Sequence, residues 1–152
     1  MVFAIGLLTF ATAASTAPQR DICDLGRAVV RDLPRPVQAS SQGGVFVDDD
    51  ASRPSLLTVC PELRKALPPG YTIAKQEDRE RANIAVPTEG VHFLTATLYT
   101  IGIPTFAADG RSATVAWSYV CTGLCGATLV SRYVRSATGW HLDGEPQVTS
   151  VS

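Results

Sequence analysis

The stretch that decides the fold is residues 112–140, which read SATVAWSYVCTGLCGATLVSRYVRSATGW. β-branched and aromatic side chains fill it, and its first part alternates, so that Ala113 and Trp117 share one face of a strand. Turn signals divide the stretch at 121–126 and again at 136–139. Because connections this short force neighbouring strands to run antiparallel, the stretch predicts successive hairpins.

The same signals extend over the C-terminal third of the chain and predict a four-stranded antiparallel β-meander. Its four segments are residues 91–103, 112–121, 127–135 and 139–144. One face of such a sheet needs an apolar cover. Two N-terminal helices are available for it, at 21–33, where Ile22, Leu25 and Val29 recur at helical spacing, and at 61–67. The predicted class is therefore α+β, with N-terminal helices packed on the meander in a single domain over residues 14–152.

The N-terminus carries the pattern of a signal peptide. Residues 2–10 (VFAIGLLTF) form an apolar run, small residues follow at 11–17 (ATAASTA), and no charged residue occurs before Arg20. Signal peptidase recognises an apolar segment followed by small residues at the cleavage site. We therefore predict a signal peptide over residues 1–13, with cleavage between 13 and 17. We expect no integral membrane segment after cleavage, since a bilayer span needs about 20 apolar residues.

Four cysteines, Cys23, Cys60, Cys121 and Cys125, agree with export to an oxidising compartment. Four thiols allow three pairings. We favour Cys23–Cys60 and Cys121–Cys125, because the second pair lies within one predicted turn. In the chain-entropy model the longer loop contributes about 4 kcal/mol of stability and the shorter loop about 2 kcal/mol. With the N-terminal pattern, the cysteines predict a secreted or periplasmic protein.

A resemblance covers at most residues 91–152. The residues that carry it are Asp109-Gly110, Ala113, the hairpin tip 121–126 (CTGLCG) and Gly139-Trp140. They resemble the pattern of uncharacterised secreted bacterial proteins in which a C-terminal β-meander carries a Cys-x-x-Leu-Cys-Gly hairpin tip and a closing Gly-Trp. The chain departs from that pattern at Ala127, where a second glycine is common, and lacks a tryptophan near its C-terminus. The resemblance implies the fold and the compartment and no activity.

The Cys121 and Cys125 pair is the first candidate for chemistry. As thiols they could bind zinc or copper, or exchange electrons, with His141 or His92 as a further ligand. We favour a structural disulfide, because the following segment alternates like a strand and does not open a helix. The sequence contains no Gly-x-Ser-x-Gly elbow, His-Glu-x-x-His motif or glycine-rich phosphate loop, so it assigns no catalytic residue, metal or cofactor.

Four aromatic residues, Trp117, Tyr119, Tyr133 and Trp140, are the second candidate. They fall on adjacent predicted strands and could form an exposed binding platform. The alternative is that they fill the core between sheet and helices, which is favoured by Val115 on the face of Trp117 and Tyr119.

Charge patterning points away from some functions. Asp48-Asp49-Asp50 lacks the alternate spacing and the distant glutamate of a calcium loop, so we predict a solvated loop. Residues 77–81 (EDRER) predict an ordinary charged helical surface. The formal net charge is −1 and the basic residues are scattered, which disfavours nucleic-acid binding.

Together these patterns favour a non-catalytic secreted or periplasmic domain that binds a protein or a small ligand. The motivation is two predicted disulfides without a recognisable catalytic motif. The competing hypothesis is a metal-binding or thiol-redox protein that uses Cys121, Cys125 and a histidine. Neither hypothesis identifies the partner.

Overall fold

The computed structural model describes residues 17–35, 43–86, 95–123 and 125–151, so the predicted signal peptide lies outside the described residues. The helices are α1 (Gln19–Arg31), α2 (Leu56–Val59), a 3₁₀ helix (Pro61–Ala66) and α3 (Gln76–Ala82). The strands are β1 (Gly43–Val47), β2 (Tyr71–Ile73), β3 (Thr95–Ile101), β4 (Thr105–Phe106), β5 (Ser112–Cys121), β6 (Cys125–Ser136), β7 (Gly139–Leu142) and β8 (Gln147–Val151). The α+β class is confirmed. Among the described helices, none combines the length and the apolar character that crossing a membrane requires.

The described strands form one mixed sheet in the order β2-β1-β3-β5-β6-β7, with β4 paired to β5 and β8 paired to β6. The prediction of a four-stranded antiparallel meander is wrong in its extent. Strands β3, β5, β6 and β7 are consecutive antiparallel neighbours, but β1 runs parallel to both β2 and β3. β1 and β2 are only five and three residues long, so the alternation of their side chains is too short to predict strands from the sequence.

The β5–β6 hairpin organises the rest of the sheet. It pairs in unbroken register from Ser112 opposite Val134 to Cys121 opposite Cys125. Each of its strands is long enough to pair with two further strands in succession. β3 and β4 pair with different parts of β5, and β7 and β8 pair with different parts of β6. The sheet is therefore built outward from the stretch in which the sequence pattern is strongest.

Helices cover the sheet on both faces. The β1-to-β2 step and the β2-to-β3 step cross the sheet in opposite directions. Parallel crossovers are right-handed, so the two connections lie on opposite faces. Accordingly, Val47 packs in the core beneath α1, whereas its neighbour Phe46 packs with Ala82 of α3.

The larger core lies between the sheet and α1, α2 and the 3₁₀ helix. Leu25 of α1, Leu56 of α2 and Val115 of β5 have no exposed surface. Gly26 allows α1 to approach the 3₁₀ helix, because a Cβ there would lie 2.6 Å from Cδ1 of Leu63. The Cys23–Cys60 disulfide joins α1 to the end of α2, across a Cα–Cα distance of 5.6 Å.

The core on the opposite face is much smaller. Among the described residues, its buried members are Ala74, Ala82, Ala96 and Leu98, and Phe46 and Val120 are partly buried against them. Alanine side chains bring α3 close to β3 but bury little apolar area. Polar and charged contacts therefore take a larger part in holding α3.

Candidate functional site

The two predicted disulfides are confirmed. Cys23 pairs with Cys60, and Cys121 pairs with Cys125. Cys121 and Cys125 are also register partners at the last position of the β5–β6 hairpin, so their bond closes its tip. Cys23 and Cys60 lie close to Glu62, but sulfurs joined in a disulfide offer no thiolate to a metal ion.

His141 does not meet the Cys121–Cys125 pair. It is the register partner of Val134, which lies nine positions along β6 from Cys125. At about 3.3 Å per residue, the imidazole is on the order of 30 Å from the hairpin tip. Its Nε2 contacts the Thr138 hydroxyl at 2.9 Å in the β6–β7 turn. A metal site of Cys121, Cys125 and His141 is therefore wrong, and His92 lies outside the described residues.

The exposed aromatic platform is also wrong. Trp117, Tyr133 and Trp140 are 8%, 2% and 5% exposed, and Tyr119 is half-buried. Tyr133 and Trp140 belong to the core cluster that contains α1, and Trp117 stacks on Tyr99, which packs against that cluster; burial is the alternative that the alternation of β5 favoured. The indole Nε1 of Trp117 donates to the Ser131 hydroxyl at 2.9 Å within this layer. Three of the four residues, Trp117, Tyr133 and Trp140, are therefore buried and do not form an exposed platform.

The site with the most convergent polar groups lies where β1 ends. Parallel strands β2, β1 and β3 present their carboxyl ends along one edge, and the crossovers on either side of β1 leave by opposite faces. Such a point leaves a crevice beside the central strand, where open α/β sheets bind ligands. Asp48 is the first residue beyond β1, and its backbone N–H donates to the Tyr99 carbonyl at 2.8 Å.

Four charged side chains link this edge to both helical layers, and we call them the Asp–Arg chain: Asp48, Arg79, Asp49 and Arg64. Nε of Arg79 in α3 donates to Oδ1 of Asp48 at 2.7 Å, and its Nη2 to Oδ1 of Asp49 at 3.2 Å. Nε of Arg64 in the 3₁₀ helix lies 3.0 Å from Oδ2 of Asp49. The hydrogen bond to Asp48 raises the pKa of Arg79 further. The Asp–Arg chain carries no net charge, and it ties α3 and the 3₁₀ helix to the end of β1.

A cleft of about 280 Å³ opens beside the Asp–Arg chain, between the loop that follows β1 and the exposed side of α3. We call it the strand-end cleft. The loop contributes Asp50 and Arg53, and α3 contributes Gln76 and Glu80. A hydrogen bond from the Ser52 backbone N–H lowers the pKa of Asp50, so this carboxylate stays ionised at neutral pH.

Local sequence rules position the walls of the strand-end cleft. Ser55 caps α2. The backbone N–H of Thr58 donates to the Ser55 hydroxyl at 3.3 Å, and the backbone N–H of Ser55 donates to the Thr58 hydroxyl at 2.8 Å. α3 begins after Lys75, whose backbone N–H donates to Asp78 at 2.8 Å. The Ser55 cap fixes the end of the loop from 48 to 55, and the bond from the Asp48 N–H to the Tyr99 carbonyl fixes its start.

Sequence reasoning missed the Asp–Arg chain. Asp48 is only 6% exposed and Asp78 only 4%, so the predicted solvated loop is wrong for Asp48, and the predicted charged helical surface of residues 77–81 does not include Asp78. Asp48 and Arg79 are thirty-one positions apart, beyond the reach of any local pairing rule. The available signal is that three carboxylates directly follow the apolar run of Val45, Phe46 and Val47.

A second groove lies on the outer side of α1, where Arg20, Arg27 and Glu62 face solvent. Its ion pair, Arg27 with Asp24, is exposed on both sides, with 61% and 37% of the side chains accessible. No buried polar group points into this part of the described surface, so the strand-end cleft is the better candidate.

Comparison with known proteins gives no relative for this chain: no protein-family model, curated protein or solved structure matches it. The candidate site therefore depends on its geometry alone.

Proposed function

We propose that this chain is a non-catalytic secreted or periplasmic domain that binds a small polar ligand in the strand-end cleft. The observation that carries the proposal is the position of that cleft at the carboxyl ends of parallel strands, where opposite crossovers leave a crevice. A volume of about 280 Å³ is slightly below the usual range for ligand pockets, which suits a small molecule of metabolite size.

Two properties of the cleft support binding over catalysis. The carboxylate of Asp48 in its lining already accepts a hydrogen bond from the guanidinium of Arg79, which leaves it poorly placed to accept a proton from a substrate. Among the described residues, the lining contains no histidine, cysteine or serine to serve as an imidazole base or a nucleophile.

Charges of both signs favour a ligand that also carries both. Within the described part of the chain, Arg53 and Glu80 form no ion pair, and both line the cleft with ionised Asp50. An anionic group would pair with Arg53, and an ammonium with Glu80 and Asp50. An amino acid or a very short peptide has this chemistry.

Export is supported by the two disulfides, since disulfides persist in oxidising compartments. The competing metal or redox enzyme requires a histidine beside the hairpin tip, and His141 is remote from it. The resemblance to secreted bacterial proteins with a C-terminal β-meander agrees with this compartment.

The test is a titration of the full chain, followed by the chemical shifts of its backbone amides. The probes are a panel of L-amino acids, with acetate and ethylammonium as analogues that carry one charge each. We expect shifts in the amides of residues 48–55 and 76–83 for some amino acids, and much smaller shifts for the single-charge analogues.

Variants at the two free charges complete the test. Because one charge-assisted hydrogen bond contributes about 1.5–3 kcal/mol, Arg53→Gln and Glu80→Gln should each weaken binding about tenfold or more. Arg111→Gln, at an exposed arginine outside the cleft, is the matched control and should leave affinity unchanged. The proposal is wrong if no probe shifts the cleft amides at millimolar concentration, or if all three variants bind as wild type does.

A further inference from the structure

The two disulfides of this chain differ in their surroundings. Cys23 and Cys60 are 7% and 0% exposed, within the core beneath α1. Cys125 is exposed and Cys121 is half-buried, at the end of the β5–β6 hairpin. Thiol–disulfide exchange requires direct access of a thiolate to a sulfur atom, so only the hairpin tip offers a target in the folded protein.

The residues between Cys121 and Cys125 hold the tip against α3 and β3. The Thr122 hydroxyl donates to the Arg81 carbonyl at 2.7 Å and accepts from the Ala96 N–H at 3.1 Å. The Gly123 N–H donates to the Ile84 carbonyl at 2.9 Å. The disulfide therefore closes a short loop whose polar groups fasten the end of α3 to the start of β3.

A shallow groove of about 130 Å³ runs alongside the disulfide. Apolar side chains from the end of α3 and from β5, including Ala82, Ile84 and Val120, line it together with both cysteines. A groove also borders Cys23, but Cys23 and Cys60 are only 7% and 0% exposed, whereas Cys125 is exposed to solvent.

We propose that Cys121–Cys125 is a reversible thiol–disulfide exchange site that an external dithiol reduces in the native fold, while Cys23–Cys60 stays oxidised. Reduction opens the short loop and releases the hairpin tip from α3. This site uses no histidine and does not depend on the ligand of the strand-end cleft.

The chemistry balances with a dithiol as the named reductant. Its thiolate attacks Sγ of exposed Cys125, the S–S bond breaks, and the electron pair remains on Sγ of Cys121, which takes a proton. The second thiol of the reductant, as thiolate, then attacks the mixed disulfide and releases Cys125, which is also protonated. Two electrons and two protons pass to the protein, and the reductant leaves as a disulfide.

Release of the tip has a local consequence. Without the closed loop, the bonds of Thr122 and Gly123 no longer hold the end of α3, while the core beneath α1 keeps its own disulfide. The amides of Ala96 and Gly123 should then exchange with solvent more readily than amides in the middle of β5, such as Val115.

The first experiment titrates the full native chain with dithiothreitol, traps free thiols with an alkylating reagent and maps them by mass spectrometry. We expect alkylation at Cys121 and Cys125 with Cys23 and Cys60 unmodified, unchanged tryptophan fluorescence, and return of the oxidised mass after the reductant is removed. Alkylation of all four cysteines together, or alkylation of Cys125 only once the fluorescence reports unfolding, would overturn the proposal.

The second experiment follows hydrogen exchange of the oxidised and reduced protein. Loss of about one net hydrogen bond predicts exchange about fivefold faster at Ala96 and Gly123 after reduction, with Val115 unchanged. Thr122→Val, which keeps both cysteines, should accelerate Ala96 in the oxidised protein without altering the alkylation pattern. Equal exchange in the oxidised and reduced forms would overturn the release of the tip.

Discussion

The two faces of the sheet are built differently. Beneath α1, large aliphatic and aromatic side chains fill a continuous core, and a buried disulfide joins the helical layer to itself. Beneath α3, the buried apolar groups among the described residues are three alanines and one leucine, and the Asp–Arg chain and the hydrogen bonds of Thr122 fasten the helix. The apolar face carries stability, since hydrophobic burial scales with area, and the polar face leaves charged groups at the surface, where we propose that a ligand binds.

The largest expected effect separates the two cores. Leu56→Ala removes a side chain with no exposed surface and should destabilise the protein by about 3–5 kcal/mol. Leu98→Ala, on the α3 face and 6% exposed, should cost nearer 2 kcal/mol because few large neighbours surround it. Urea denaturation of both variants measures the difference, and an equal or reversed order would contradict it.

Removing each disulfide sharpens the comparison. The double change Cys23→Ser with Cys60→Ser should lower the free energy of unfolding by about 4 kcal/mol, since the bond closes a long loop. Cys121→Ser with Cys125→Ser should cost only about 2 kcal/mol. Denaturation midpoints under identical conditions test this order. A larger loss of stability in the Cys121/Cys125 variant would show that the disulfide at the hairpin tip, and not the one at α1, contributes more to the stability of the fold.

The polar face can be probed through the Asp–Arg chain. Asp48→Asn leaves Arg79 without its closest carboxylate in a mostly buried setting, with the two side chains 8% and 20% exposed, and should cost about 1–3 kcal/mol. Asp24→Asn, which breaks the exposed pair with Arg27, is the matched control and should cost less than about 1 kcal/mol. Similar effects for both variants would mean that the Asp–Arg chain is no stronger than a surface pair.

Alkaline pH tests the apolar face by a different route. Burial raises the pKa of Tyr71 and Tyr133 above the ordinary value of 10.0. The unfolded chain therefore ionises these tyrosines first, so the protein keeps its full stability below pH 10 and loses it as pH rises further. At pH 11 the ionisation of each tyrosine in the unfolded chain should lower the free energy of unfolding by about 1.4 kcal/mol, and Tyr133→Phe should abolish the contribution of Tyr133. A stability that is flat from pH 9 to 11 would contradict the burial of these hydroxyls.

Local patterns were sufficient for several elements. The helical spacing of Ile22, Leu25 and Val29 predicted α1, and the turn signals around the tip 121–126 predicted the β5–β6 hairpin. Both disulfides followed from the count and spacing of the cysteines. These predictions succeeded because periodicity and short loops act between residues that are near in sequence.

Other features could not be predicted from the sequence, because the residues that form them are distant along the chain. The parallel pairing of β1 with β3 joins segments about fifty residues apart, and short strands carry little alternation. The sequence favoured the core for the aromatic residues, but only the structure shows that Trp117, Tyr133 and Trp140 are buried. A single sequence reports that such residues share a face, but it does not report which surface that face meets.

The sequence by itself determined the α+β class, the long hairpin, a favoured pairing of the cysteines among three and the expectation of an exported protein. Only the tertiary structure decided that Asp48 and Arg79 meet, that His141 is remote from Cys121 and Cys125, and that a cleft lies at the carboxyl end of β1. The reason is physical: helices and hairpins are set by interactions over a few residues, whereas a site requires distant segments to converge, and that convergence is fixed by crossover handedness and core packing.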